Sequence, residues 1–245
     1  MATTGREKLN KLYTHLAPGT PLTSEDLATL GISADLAVHY VRAGWLERMA
    51  RGVYCRPNDP PALHPSVVLL QRTFEGLHVG GKSALDWQGI RQYVAQRPVL
   101  HLYGWKAGRL PEWFTERFPA DYHRKRLFEE RPEALLHVRP FENRKGAPLV
   151  SAPERALLEL LSEVGVRQPL QEARELVESS YNLRAAVLGE LLKRCGSVKT
   201  VRLCLQLGRE LSLRWFDKLD PSQLPKGSNR PWVGRSREGL LVLKP

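Results

Sequence analysis

Apolar positions in the first quarter of the chain follow a helical rhythm broken by turn residues. Over residues 8–16, Leu9, Leu12, Tyr13 and Leu16 fall on one stripe and predict a helix that stops before Pro18-Gly19. Thr23-Ser24-Glu25-Asp26 has the form of a capping box, with a hydroxyl at the N-cap and an acid three residues on that can reach back. A short helix follows through Leu30, and Gly31 supplies the left-handed residue that ends it. Ser33 can cap a third helix over residues 34–43, stopped by Gly44. Two helices, a three-residue turn and a third helix are the order of a helix-turn-helix. Residues 45–49 and 52–56 read as short strands about a tight Ala50-Arg51-Gly52 turn, which makes the unit a winged helix.

The rhythm then changes. Pro57, Pro60, Pro61 and Pro65 fall within nine residues, too many for a helix or an interior strand, so residues 58–65 are expected to be a linker or an ordered crossover between residues 1–57 and a second domain, 66–245. There, helices are expected at 66–76 and 82–88, with the turn His78-Val79-Gly80-Gly81 between them. Residues 99–103, 135–139 and 148–150 are strand candidates, and 110–118 a short helix. Ser151-Ala152-Pro153-Glu154 repeats the capping-box pattern, with proline in the first turn, where its missing N–H costs nothing. Four helices follow at about 152–163, 170–179, 183–194 and 197–211, the first carrying Leu157, Leu160, Leu161 and Val164 at helical spacing. From Leu219 a tail rich in proline and glycine ends in the apolar run 239–243. The expected class is α+β: an N-terminal winged helix-turn-helix, then a mixed α/β domain with a helical C-terminal half.

Composition narrows the classes. Of 245 residues, 37 are Lys or Arg and 26 Asp or Glu, a net charge of +11, which favours a polyanionic partner. With 42% hydrophobic residues the chain is globular rather than disordered. No apolar run is long enough to span a membrane, the first residues lack a secretory core, and three scattered cysteines do not make a disulfide framework. A cytoplasmic protein is expected. The charge is uneven: net +1 over residues 1–60, +5 over 61–150, +1 over 151–213 and +4 over 214–245.

On the third helix Leu36, Ala37, Tyr40 and Val41 share the face that packs, leaving Asp35, Val38, His39 and Arg42 on the other. A major groove admits one such helix, and Arg42 can pair bidentately with guanine. His39 and Ser33 can reach bases or phosphates, with Thr23, Ser24 and Asp35 as further candidate contacts; Asp35 suits only a cytosine amine, since it repels phosphate. Arg48, Arg51 and Arg56 lie in or near the wing, placed to track the backbone. A protein-interaction module is the alternative for such a three-helix unit, and its near-neutral charge speaks for it.

Six segments in this order resemble a known family: Pro21-Leu22-Thr23-Ser24-Glu25-Asp26-Leu27, Gly31-Ile32-Ser33, the run from Val38 to Arg48, Arg51-Gly52-Val53-Tyr54-Cys55-Arg56-Pro57, His78-Val79-Gly80-Gly81-Lys82-Ser83-Ala84-Leu85, and Ser151-Ala152-Pro153-Glu154-Arg155-Ala156-Leu157-Leu158. Together they resemble the AbiEi family of bacterial type IV antitoxins, winged-helix transcriptional regulators. The resemblance runs from about residue 7 to about residue 212 and lies in order and spacing rather than in any one motif. It implies an N-terminal domain that binds repeats in its own promoter DNA and represses the operon. It also implies a C-terminal domain that opposes a nucleotidyltransferase toxin encoded alongside, without a stable complex. The loop Pro225-Lys226-Gly227-Ser228-Asn229-Arg230 is similar to a glycine-and-basic loop near the end of relatives.

Enzyme chemistry finds little footing. Asp121, Glu142 and Lys145 come nearest to a metal-dependent nuclease, but Glu142 and Lys145 have one residue too many between them for strand alternation, and a solvated turn accounts for them. Cys195, Cys204, His123 and His137 lack zinc-ligand spacing, and Gly80-Gly81-Lys82-Ser83 lacks the leading glycine of a P-loop. No catalytic residue, metal or cofactor is expected. That helix start can still hold a phosphate, with Lys82 assisting. A wider anionic surface is expected from Lys106, Arg109, Arg124, Lys125, Arg126, Arg144 and Lys145, with Trp105 interleaved, joined by Lys226, Arg230, Arg235 and Arg237 of the tail. A nucleic-acid-processing enzyme targeted by the winged helix is the second alternative.

Overall fold

A computed structural model describes residues 5–15, 17–91, 98–131, 133–236 and 239–244. The first unit comprises α1 (Gly5–His15), β1 (Leu22–Thr23), α2 (Ser24–Thr29), α3 (Ala34–Arg42), β2 (Glu47–Ala50) and β3 (Val53–Cys55). Its capping chemistry is local and was legible. The Thr23 Oγ1 accepts from the Asp26 N–H at 3.1 Å while the Thr23 N–H donates to the Asp26 carboxylate at 2.8 Å, closing the box on α2. The Ser33 hydroxyl accepts from the Leu36 N–H at the head of α3. Gly31 and Gly44 take the left-handed conformation, with φ of 75° and 72°, that ends each helix. A small core of Leu12, Leu22, Leu27, Ile32, Ala37, Tyr40, Leu46 and Tyr54 holds the unit together. The strand β1 has no signature in the sequence, because two residues cannot show a period; it pairs Leu22 with Tyr54 and gives a three-stranded antiparallel sheet in the order β1-β3-β2.

The second unit runs α4 (Leu63–Thr73), β4 (His78–Val79), α5 (Gly81–Trp87), β5 (Leu100–Gly104), α6 (Glu112–Thr115), β6 (Ala120–Arg124), β7 (Val138–Pro140), β8 (Leu149–Ser151), α7 (Pro153–Ser162), α8 (Leu170–Ser179), α9 (Ala185–Lys193), α10 (Val198–Glu210), β9 (Trp232–Ser236) and β10 (Gly239–Leu243). Strands β4 to β8 form one mixed sheet in the order β6-β5-β4-β8-β7, and β9 and β10 a separate antiparallel hairpin. Nearly every residue of α7 is buried, so this helix is the axis of the larger core, with α5, α8, α9 and α10 packed around it.

Four expectations are corrected here. The pair His78-Val79 is a central strand, not part of a turn; its two residues join β5 to β8. Helix α4 begins at Leu63, not 66, because Pro65 sits in its first turn, where the backbone N–H has no intrahelical partner to lose. The strand at 135–139 shrinks to 138–140, since the Leu136 N–H donates to Glu130 and its carbonyl accepts from Arg155. The capping box at Ser151 does not form: Ala152 is the N-cap, the Ser151 hydroxyl turns to Glu159, and Glu154 is taken by Arg184.

The proline segment is pinned rather than loose. The Gly19 N–H donates to Asp59 at 2.9 and 3.0 Å, the Ala62 N–H to Gly19 O at 2.8 Å, and the Arg117 Nε–H to Pro61 O at 2.7 Å. Arg72 of α4 makes a two-pronged pair with Asp26, the acid that also closes the α2 cap. Met49, Ala50 and Val53 of the wing lean on the larger core. The two hydrophobic cores are separate, yet the units that contain them are bolted together.

Candidate nucleic-acid interface

Helix α3 buries Ala37 and Tyr40, half-buries Leu36 and Val41, and exposes Asp35, Val38, His39 and Arg42. Ser33 at its head is exposed, while its hydroxyl serves the cap. The candidate interface is thus one face of a capped helix whose other face is locked by Tyr40, which is 1% exposed. Two apolar side chains share this region: Val38 is 43% and Trp45 41% exposed, the indole packed edge-on to His39 at 6.2 Å. Trp45 was not among the candidate contacts, because the expected strand began there; the strand starts at Glu47 and leaves Trp45 in the bend after α3. Exposed apolar groups of this kind can meet thymine methyls.

The wing is less free than its sequence suggests. Arg48 and Arg51 are exposed, with the Arg48 Nε–H turned to Ala50 O at 3.3 Å. Arg56 is half-buried; its guanidinium stacks over the Tyr13 ring at 4.9 Å and donates to Tyr13 O, clamping α1 to β3. Thr23 is half-buried in its cap and Ser24 is exposed, its N–H donating to Gly52 O in the wing turn. Arg42, His39, Asp35 and Ser33 therefore share one helix, Arg48 and Arg51 lie on the adjoining hairpin, and Arg56 turns to α1.

The basic residues of the second unit divide. Arg109, Arg124, Arg126, Lys145 and Arg230 are exposed. Lys106 is also exposed but donates to Thr73 O at 2.9 Å and lies over the Phe74 ring. Lys125 turns inward to Glu163 and Ser162 O, Lys82 pairs with Glu172, and Arg144 pairs with Glu142. Trp105 is 7% exposed and its ring is covered by the Arg126 guanidinium at 4.5 Å, so the interleaved aromatic belongs to the core and offers no stacking face. Lys226 lines a cleft beside α10, Arg235 belongs to β9, and Arg237 lies outside the described residues.

Two of the segments that carried the resemblance meet on one buried carboxylate. Glu159 of α7 accepts from His78 Nε2 at 2.8 Å, Arg155 Nε at 2.7 Å, the Ser151 hydroxyl at 2.9 Å and the Gly81 N–H at 3.1 Å. Arg155 continues to Glu130 through two bonds of 2.7 and 2.8 Å. The other His78 nitrogen faces Gly76 O at 2.8 Å. Burial works against the Glu159 charge, but His78 and Arg155 outweigh it and hold the carboxyl at about 2. A cluster beside it runs from Glu163 through His123 (3.4 Å) to His101 (3.0 Å). Burial, reinforced by His123, pushes His101 down to about 4. Among the described residues no group of three or more His, Cys, Asp or Glu side chains is placed to hold a metal ion. No helix among them is long and apolar enough to cross a membrane.

Comparison with known proteins covers nearly all of the chain. Residues 5–96 match the family described as "Transcriptional regulator, AbiEi antitoxin N-terminal domain", and residues 97–244 the one described as "Transcriptional regulator, AbiEi antitoxin, Type IV TA system". Among solved structures, the RV2827C protein from Mycobacterium tuberculosis superposes with a TM-score of 0.55 at 16% identity, over 96% of this chain and 90% of that one. At that identity the likeness concerns the fold. No curated protein matches the sequence.

Proposed function

The chain belongs to the AbiEi family of type IV antitoxin transcriptional regulators, and from that premise we propose that it binds the promoter of its own operon and represses it. The observation that carries the reading is α3: capped at Ser33, anchored by Tyr40, and presenting Ser33, Asp35, His39 and Arg42 outward. Arg42 is the side chain for guanine, the wing residues Arg48 and Arg51 take the backbone, and the exposed cations of the second unit add attraction without sequence preference. Arg56 and Thr23 support this surface by fixing α1 and α2 beneath it.

The C-terminal unit, in the same proposal, opposes a nucleotidyltransferase toxin without a lasting complex and without catalysis of its own. Its densest polar cluster, around Glu159, is sealed inside the core, which supports a scaffold rather than a reaction centre. The test is a gel shift of full-length protein on its upstream DNA against an unrelated fragment of equal length. A shift confined to the upstream fragment at physiological salt is expected. Equal shifts on both fragments, or none at low salt, overturn the repressor reading; cleavage of either in divalent metal overturns the non-enzymatic one.

A further inference from the structure

The cleft between α10 and the C-terminal hairpin has a composition that promoter binding does not use. It holds about 260 Å³, and the four cations of its lining, Arg202, Arg209, Lys226 and Lys244, with its one acid, Glu210, decide its field. That acid is spoken for: Arg174 takes one oxygen of Glu210 and Gln206 the other at 2.8 Å. Hydrogen bonds to Gln206 and Arg174 hold the Glu210 carboxyl below the usual range, so it stays a satisfied anion rather than a repelling free one.

The cations are differently placed. Arg202 is 3% exposed, and its guanidinium donates to Lys226 O and Arg230 O at 2.7 Å, to Leu243 O at 3.3 Å and to Ser228 O. All four are carbonyls, so this buried charge meets no carboxylate among the described residues, and it fixes the loop and strand that form the cleft wall. Arg209, Lys226 and Lys244 likewise have no carboxylate partner among the described residues, and the Arg209 guanidinium is steadied over the Phe216 ring at 5.7 Å. Three cationic side chains at the rim of a walled cleft match a dianion, and Arg supplies the planar fork that phosphate accepts. Leu205, Pro221 and Val242 leave an apolar side for whatever the phosphate is attached to.

We propose that this cleft binds a terminal phosphate monoester, carried either by a free nucleotide or by the 5′ end of a strand. The volume admits a group of about nucleotide size and is smaller than a usual ligand pocket.

The experiment is calorimetric titration of the full chain with inorganic phosphate, AMP, adenosine, and a short single-stranded oligonucleotide with or without a 5′-phosphate. The phosphorylated member of a pair is expected to bind at least about tenfold tighter than its unphosphorylated twin, and inorganic phosphate to compete. The Arg209→Gln/Lys244→Gln variant is expected to lose at least about tenfold of that affinity while keeping its melting temperature and its preference for the upstream fragment over an unrelated one. AMP binding identifies a free nucleotide as the source; binding of the phosphorylated strand alone identifies a strand end. Equal binding within each pair, no binding of any phosphate probe at millimolar concentration, or full affinity in the variant overturns the proposal. None of these outcomes depends on promoter recognition.

Discussion

At the scale of single residues, Glu159 is the position on which the second unit depends most. Gly80 owes its identity to it, since a Cβ there would lie 2.3 Å from Glu159 Oε2 and 2.5 Å from the Tyr103 ring; Gly81, at φ of 50°, owes its own to its backbone and to Tyr103, whose hydroxyl a Cβ would meet at 2.7 Å. Gly80→Ala is therefore expected to cost about 2–4 kcal/mol, read as a lowered urea midpoint with an unchanged slope. The same carboxylate sets an acid limit. Its folded-state value of about 2 lies below the ordinary 4.5, so its stabilisation is present above about pH 4.5 and fades as pH falls toward 2. Stability is expected to fall across that window by an amount on the order of 3 kcal/mol from this group, read as a falling melting temperature, and Glu159→Gln to be already destabilised at neutral pH and flatter below it. Glu163, likewise opposed by burial but held at about 2 by His123 and Lys125, adds to the same slope. The strings His78 to Leu85 and Ser151 to Leu158 stand out in the sequence, but not that they converge, because no local spacing relates a histidine to a carboxylate 81 residues away.

At the scale of elements, the first unit was the most legible. Caps, terminal glycines and a helical apolar stripe are local signals, and the structure realises them at Thr23, Gly31, Ser33 and Gly44 within a residue or two. The reading helix permits a separation of roles. Arg42→Ala is expected to weaken promoter binding by about 1–3 kcal/mol and relax preference at one base pair, with the melting temperature unchanged. Arg56→Ala is expected to do the reverse: its guanidinium holds Tyr13, so the melting temperature falls and sequence preference stays. Footprinting alongside calorimetry separates the two. Elements shorter than three residues were illegible, since β1 and β4 carry too few positions for a period and exist because their neighbours offer free backbone groups.

At the scale of the whole molecule, charge and packing pull the tail in different directions. Residues 214–245 carry net +4 against +1 for residues 1–60, so, on the proposed DNA binding, the tail and the middle of the chain are the expected source of salt-sensitive attraction. Deleting the tail to prove it would remove Trp215, Leu224, Leu241 and Leu243, all buried in the main core, and unseat Arg202. Neutralisation is the cleaner route: Arg109→Gln, Lys145→Gln and Arg230→Gln together are expected to lower the log-affinity against log-salt slope by up to about three without altering which fragment is preferred. An unchanged slope would place those cations outside the DNA path.

The sequence by itself determined the winged-helix unit, the succession of helices after residue 152, the net charge and its uneven distribution. Each of these is written in neighbours a few residues apart, where capping, periodicity and turn chemistry act. Only the tertiary structure decided that the proline segment is pinned, that half of the wing leans on the second core, and that Lys125 and Lys82 are engaged while Arg109 and Arg230 are exposed. It also decided that Ser151, Glu159 and His78 share one buried charge network. Burial is the reason. Whether a charged side chain meets water or a partner depends on what distant chain packs above it, and a buried carboxylate recruits its donors from wherever the fold brings them.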